Sequence, residues 1–276
     1  MKDIKIIACD LDGTLLRKDK TLSEENLKAL KACSENGIRI VPATGRYLNG
    51  MPESIRNIPF IDHAVTINGA AVWDTKNNEL LYKAPIPAQT AVMLLEYFSS
   101  IGVAYNFYAL NAGYMNKSFI EEIDTYVPSI NFIKTIRMLY TPVDDLISFL
   151  KNNYSEVFKV QIFTKEPEKL RTTEAYVNGL GLPLTVSSSY VYNLEINNIE
   201  ATKSHALRIV AEHLGYDITQ TAAFGDGGND LNMIKTAGTG IAMGNAISAV
   251  KSAADYVTLT NDENGVAEWI KNNIFK

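Results

Sequence analysis

Ile4-Lys5-Ile6-Ile7-Ala8-Cys9-Asp10-Leu11-Asp12-Gly13-Thr14-Leu15 sets a short apolar run directly against two carboxylates. Ile4, Ile6, Ile7, Ala8 and Cys9 read as a buried strand, since a brief continuous apolar run suits a sheet covered on both faces. Side chains alternate along an extended chain, so Asp10 and Asp12 point the same way while Leu11 turns to the core. Gly13 then lets the backbone bend sharply away. On its own, Asp-x-Asp at a strand end is most simply a solvated turn; its neighbours change that reading.

Outward from this strand, Ser23 is placed to cap a helix from Glu24, whose Leu27, Leu30 and Ala32 recur at helical spacing, and Gly37 stops it. A second apolar run covers 38–43, a short helix 51–57 and a third run 64–67. Three runs separated by helical segments predict βαβ units, right-handed crossovers and a parallel sheet. The last third resumes that rhythm, with helices over 203–214, 231–236 and 266–273 and strands over 221–224 and 240–243. The middle differs. Pro85 and Pro87 open it, helices are predicted over 89–100, 119–126, 143–152 and 168–178, and strands over 103–107, 158–163 and 184–186. Half-buried strands mixed with helices predict an α+β module. The expected architecture is α/β: a Rossmann-like parallel-sheet core at 1–83 and 190–276, interrupted by an inserted α+β domain at 84–189.

A chain of 276 residues has room for two cores at roughly 150 residues each. Its 26 Lys+Arg against 31 Asp+Glu give a formal charge of −5 and no basic block, which argues against a nucleic-acid binder. Apolar runs fall far short of the ~20 residues that span a bilayer. Asp3, Lys5, Asp10 and Asp12 interrupt any signal-like hydrophobic region. A cytoplasmic protein is expected, with Cys9 and Cys33 as buried thiols rather than a disulfide or zinc set. His63, His205 and His213 lie far apart in the sequence and suggest no histidine-centred catalysis.

The second strand ends in Ala43-Thr44-Gly45-Arg46, and strand 221–224 runs into Gly225-Asp226-Gly227-Gly228-Asn229-Asp230. Lys203 stands at the start of a helix. In a parallel sheet all these strand ends converge on one edge, the usual ligand edge. Asp10, Asp12 and Asp226 would repel one another there unless a cation sat among them, and hard oxygen donors select Mg2+. Lys203, the Thr44 hydroxyl and backbone N–H groups would hold the remaining phosphate oxygens. Such a constellation suits phosphoryl transfer, which needs charge neutralisation more than covalent assistance.

With these residues in place, the chain resembles the haloacid dehalogenase superfamily phosphatases, specifically the Cof-type group with a large cap inserted between the second and third motifs. The matching segments are Asp10 to Leu15, Thr44-Gly45-Arg46, Asn68-Gly69-Ala70, Lys203, Gly225 through Asp230, Ala242-Met243-Gly244-Asn245-Ala246, Ala254-Asp255-Tyr256-Val257 and Gly265-Val266-Ala267. Their order covers nearly the whole chain. The resemblance implies that Asp10 is the nucleophile and Asp12 the acid/base. It further implies that Asp10, the Asp12 backbone carbonyl and Asp226 bind Mg2+. Phosphate would be held by the Leu11 N–H, Thr44, Gly45, Lys203 and Asn229, while Asp230 orients Lys203 or a metal-bound water. The family often has glycines around the lysine where this chain has Glu200-Ala201-Thr202-Lys203-Ser204.

The implied activity is Mg2+-dependent hydrolysis of a small phosphorylated metabolite, with sugar phosphates leading and pyridoxal phosphate or flavin mononucleotide next. A phosphotransferase or phosphomutase, and a non-catalytic phospho-ligand sensor, are the alternatives. Arg46 reads equally as a substrate contact or as a cation paired with a carboxylate, and Asn68 as a site-edge residue or a turn asparagine. Glu195 is expected to brace the cleft, and His205 to face solvent. Tyr105, Phe107, Tyr108 and Tyr114 are expected in a core rather than a substrate wall.

Overall fold

The computed structural model describes residues 3–275. The chain divides into two compact units: one gathers the residues up to Arg46, Met51–Lys83 and those from Thr202 onward, the other Tyr47–Gly50 and Ala84–Ala201.

The first unit starts with strand β1 (Ile6–Cys9), helix α1 (Glu24–Glu35), β2 (Arg39–Pro42), α2 (Glu53–Arg56), β3 (His63–Thr66), β4 (Ala71–Asp74) and β5 (Glu79–Lys83). The second unit supplies β6 (Ile86–Pro87), α3 (Ala88–Ser100), β7 (Ala104–Tyr108), β8 (Gly113–Asn116), α4 (Lys117–Glu121), α5 (Ile123–Tyr126) and α6 (Ile130–Leu139). It continues through β9 (Tyr140–Val143), α7 (Leu146–Asn153), β10 (Glu156–Val157), β11 (Lys159–Phe163), α8 (Pro167–Gly179), β12 (Leu184–Ser187) and β13 (Asn193–Asn198). The chain then returns to the first unit with α9 (Lys203–His213), β14 (Thr221–Gly225), α10 (Leu231–Thr236), β15 (Thr239–Ala242), α11 (Ser248–Ala253), β16 (Tyr256–Val257) and α12 (Gly265–Asn273).

The first unit is built on a five-stranded parallel sheet in the order β16-β15-β14-β1-β2. Every residue of β1 and β14 is buried, as both-face coverage by helices requires. Strand order reverses about β1, since β2 lies on one side of it and the late strand β14 on the other. Such a switch point leaves a crevice at the carboxyl ends of the strands. Ser23 caps α1 by accepting the Asn26 N–H at 3.1 Å. Buried Asn26 donates in turn to the Leu15 carbonyl and accepts from the Ala267 N–H at 3.0 Å, tying α1 to α12.

Two sequence expectations need correction in this unit. The third run does not extend the parallel sheet as a full strand: β3 pairs antiparallel with β4, and β4 with β5. Its parallel pairing with β2's extension is a bridge between Ala43 and Val65, where the Thr44 N–H donates to the Val65 carbonyl at 2.9 Å. Asn68-Gly69, which joins β3 to β4, is itself a hairpin signal, and the parallel rhythm of the neighbouring runs masked it. The separation of the histidines in sequence is also misleading, because the rings of His63 and His213 come to 5.4 Å between centroids.

The second unit is built on a six-stranded sheet in the order β12-β13-β11-β7-β8-β9, antiparallel except between β8 and β9. Leu94, Leu95 and Phe98 of α3 pack with Tyr105, Phe107, Val160, Ile162 and Ile196 in its core, and Tyr114 lies against it. Return to the first unit falls at Thr202 rather than near 190, because β13 is held between β11 and β12. Glu195 therefore sits inside the second unit, where its Oε1 accepts from the Lys159 ammonium at 3.2 Å and the Ser189 hydroxyl at 2.9 Å. Among the described residues no helix is long and apolar enough to cross a membrane.

Candidate active site

Asp10 follows β1 directly, and its N–H still donates to the Phe224 carbonyl of β14 at 3.0 Å, so the sheet fixes its backbone. The chain then turns at Gly13, where φ is +97°. A Cβ there would overlap the Asp226 carboxylate, so only glycine lets this turn close over Asp226. The next residue uses that proximity: the Thr14 hydroxyl donates to Asp226 Oδ1 at 2.7 Å.

Lys203, the first residue of α9, is fully buried and donates to Asp10 Oδ1 at 2.6 Å and to Asp230 Oδ1 at 2.7 Å. Asp230 Oδ2 accepts the backbone N–H groups of Asp226 and Gly227, each at 2.9 Å. One carboxylate thus orders both the lysine and the loop that carries Asp226. One oxygen from each of Asp10, Asp226 and Asp230 lies within 4.8 Å of the others. Three acids share one ammonium, and the charge imbalance shows in the titration of Asp10 and Asp226. Burial pushes Asp10 well above the usual carboxylate range, with Lys203 opposing and the Asp230 and Asp226 charges adding to the rise. Burial and the Asp230 charge push Asp226 up to about 7. Burial works against the Lys203 charge, but Asp10 and Asp230 outweigh it and hold the ammonium protonated.

The charge of Asp12 acts on Asp226, as expected, but its carboxylate has other direct partners. Its carboxylate is not part of that cluster; Asp230 takes the third place. Arg46 forks onto Asp12 with Nε at 2.8 Å from Oδ2 and Nη2 at 2.9 Å from Oδ1, and Lys20 adds a contact at 2.8 Å. Burial disfavours the Asp12 charge, but these cations outweigh it and hold the carboxyl well below the usual range. Arg46 and Lys20 thus stand with Lys203 as cations near the acids.

Thr44 and Gly45 leave the end of β2, and the Thr44 hydroxyl oxygen accepts the Arg46 N–H at 3.2 Å. Around them wraps Ile67-Asn68-Gly69, all with positive φ: +52°, +60° and +100°. Ile67 and Asn68 donate their N–H groups to the Arg46 and Thr44 carbonyls at 2.9 and 3.0 Å. A β-branched residue in that region costs of order 1–3 kcal/mol, and such strain concentrates at functional sites. Gly69 packs where a Cβ would overlap the Thr202 carbonyl ahead of Lys203. Asn229 donates to Asn68 Oδ1 at 3.1 Å, which links the loop over 225–230 to the Asn68-Gly69 turn. Asn245 donates to the Gly13 carbonyl at 2.7 Å and accepts the Asn261 N–H at 3.0 Å, bracing the turn from the far end of the chain.

The haloacid dehalogenase-like hydrolase family profile matches residues 7–270. The chain belongs to that family. The hydrolase is 32% identical over 269 residues to the 5-amino-6-(5-phospho-D-ribitylamino)uracil phosphatase YcsE of Bacillus subtilis, covering 98% of this chain and 95% of that one. Among solved structures, a haloacid dehalogenase-like hydrolase from B. subtilis superposes with a TM-score of 0.85 at 29% identity, over 98% of this chain and all of the other (100%). The subclass IIB sugar phosphatase BT4131 gives 0.83 at 25% identity, over 97% and 98% of the two chains. The hydrolase is a phosphatase, with a parallel-sheet core and an inserted cap.

Thr14, Lys20, Ile67 and Asn245 belong to this phosphatase site and were not singled out for it in the sequence. Thr14 and Asn245 lie within motif segments and could have been found there. Lys20 and Ile67 carry no motif signal.

Proposed function

We propose that this phosphatase is a Mg2+-dependent phosphomonoester hydrolase acting on a small phosphorylated metabolite, with sugar and sugar-alcohol phosphates as its substrate class. The carrying observation is the buried Asp10, held by Lys203 and crowded by Asp226 and Asp230. The donor set fits a hard divalent cation: buried carboxylates in excess of their one ammonium, with Asp226 driven up in its absence. Asp10, Asp226 and the Asp12 backbone carbonyl are the residues assigned to hold Mg2+. When bound, the ion supplies charge neutralisation for a phosphoryl group.

Asp10 attacks phosphorus as the bond to the leaving oxygen breaks, forming an aspartyl-phosphate. Asp12 gives a proton to the departing alkoxide, then takes one from the water that hydrolyses the phosphoenzyme. To act as an acid, Asp12 must leave the contacts that Arg46 and Lys20 make on it and take up a proton from solvent, so Arg46 is assigned to switch from Asp12 to the incoming substrate. Lys203, Thr44, Gly45, Asn229 and the Leu11 N–H hold phosphoryl oxygens, Asp230 positions Lys203, and Asn68 positions Asn229.

Relatives named for a phosphoribitylamino compound and for sugar phosphates support this substrate class. Orthophosphate release from a panel of sugar phosphates, nucleotides and phosphorylated cofactors, with Mg2+, tests it. Preference for sugar or polyol phosphates is the expected result; no release from any member, or phosphate passed to an added sugar acceptor instead of water, overturns it.

A further inference from the structure

The core unit brings together a second group of ligating side chains that shares no residue with the acidic cluster. His63 opens β3, Asp74 closes β4, and the two are directly opposed in the antiparallel register. His213 is the last residue of α9 and is exposed. One ligand atom from each of the three lies within 4.8 Å of the others.

His63 is the telling member. Only 4% of it is exposed, and its Nε2 is buried without a hydrogen-bond partner. A buried polar atom left unmade is costly, so an orphan demands a reason. Its Nδ1 lies 2.8 Å from Asp62 Oδ1, and Asp62 is itself gripped by Arg39 at 2.6 Å. A carboxylate on Nδ1 holds the ring proton there and leaves a lone pair on Nε2, the arrangement that orients a metal-binding histidine. The Asp74 carboxylate is likewise aimed, accepting from the Asn77 N–H at 2.9 Å and its Nδ2 at 2.7 Å.

We propose that His63, Asp74 and His213 form a binding site for a zinc-class divalent ion that clips the end of α9 to the β3–β4 hairpin. Two imidazoles and one carboxylate select zinc over magnesium, and solvent at the exposed His213 side completes a tetrahedral set. Donors on one zinc stand about 3.3 Å apart, so closing the site needs a modest contraction, which the exposed His213 ring can supply by rotating.

The test is equilibrium dialysis of the full chain against Zn2+ in excess Mg2+, with metal counted per chain, followed by the visible spectrum of the Co2+ form. One Zn2+ retained per chain and tetrahedral Co2+ bands are expected. His213→Ala, at an exposed position, should weaken Zn2+ binding by about 10–100-fold, as should Asp74→Asn. His205→Ala on the same helix should leave it unchanged, as should Asp226→Asn. No saturable retention, retention unaltered in His213→Ala, or loss in Asp226→Asn overturns the proposal, the last because the ion would then belong to the acidic cluster.

Discussion

Replacing Lys203 with Met keeps the length of the side chain and removes the one ammonium shared by Asp10 and Asp230, at 2.6 and 2.7 Å. Both carboxylates stay buried, with Asp226 close by, so neither can recover its hydration. Removing one partner of a buried ion pair costs about 3–5 kcal/mol. For a chain of this size each kcal/mol moves the melting temperature by roughly 2–4 °C, so a fall of about 6–20 °C is expected near neutral pH. The loss should shrink toward about pH 5, where the orphaned Asp10, already raised by burial, takes up a proton instead of standing charged. Adding Asp230→Asn to Lys203→Met removes one of the stranded charges and should return part of the loss, a coupling that additive effects would not give. Scanning calorimetry of the wild type, both single variants and the double variant, at the two pH values without added metal, reads all of this. A Lys203→Met protein melting within a degree or two of wild type at neutral pH would refute the reasoning, as would a double variant less stable than the single.

Asp226, driven from an ordinary 3.8 to about 7, binds a proton in the folded state that the unfolded chain has lost. Stability of the metal-free protein should therefore fall as pH rises through that window, and Mg2+, by relieving the crowding, should raise the melting temperature more at about pH 8 than at about pH 5. Equal rises at both would contradict it. Asp12→Asn should lower turnover of alkyl phosphates far more than of p-nitrophenyl phosphate, because a good leaving group needs no proton; equal losses in kcat for the two would remove the acid role. Gly13→Ala should abolish phosphate release, since the new methyl overlaps the Asp226 carboxylate at a positive φ; wild-type kcat/KM in that variant would count against the turn's role.

Much of this site is legible in the sequence because its parts are strand ends and glycines. An all-apolar β1 followed by Asp10-Leu11-Asp12-Gly13 announces both the sheet and the edge, and Gly225-Asp226 does the same for β14. Pairing of long side chains is not legible. Nothing local says that Arg46 will fork onto Asp12 or that Asp230, rather than Asp12, will stand beside Asp10 and Asp226. The β3–β4 hairpin was legible in Asn68-Gly69, a turn signal; what was not legible is that Ile67 also takes a φ that a β-branched residue ordinarily avoids. The border near 190 failed because an alternating strand, β13, reads alike whichever sheet it joins. The meeting of His63 with His213 is a product of tertiary packing between α9 and β3, which periodicity cannot register.

The central claim is that Asp10 carries the phosphoryl group during turnover. Acid-quenching the enzyme with labelled substrate and Mg2+, then mapping the label by peptide mass, tests it most directly. The account predicts a hydroxylamine-labile phosphate on the peptide containing Asp10, absent from Asp10→Asn. Label on another residue, or orthophosphate released at the wild-type rate by Asp10→Asn, would contradict it.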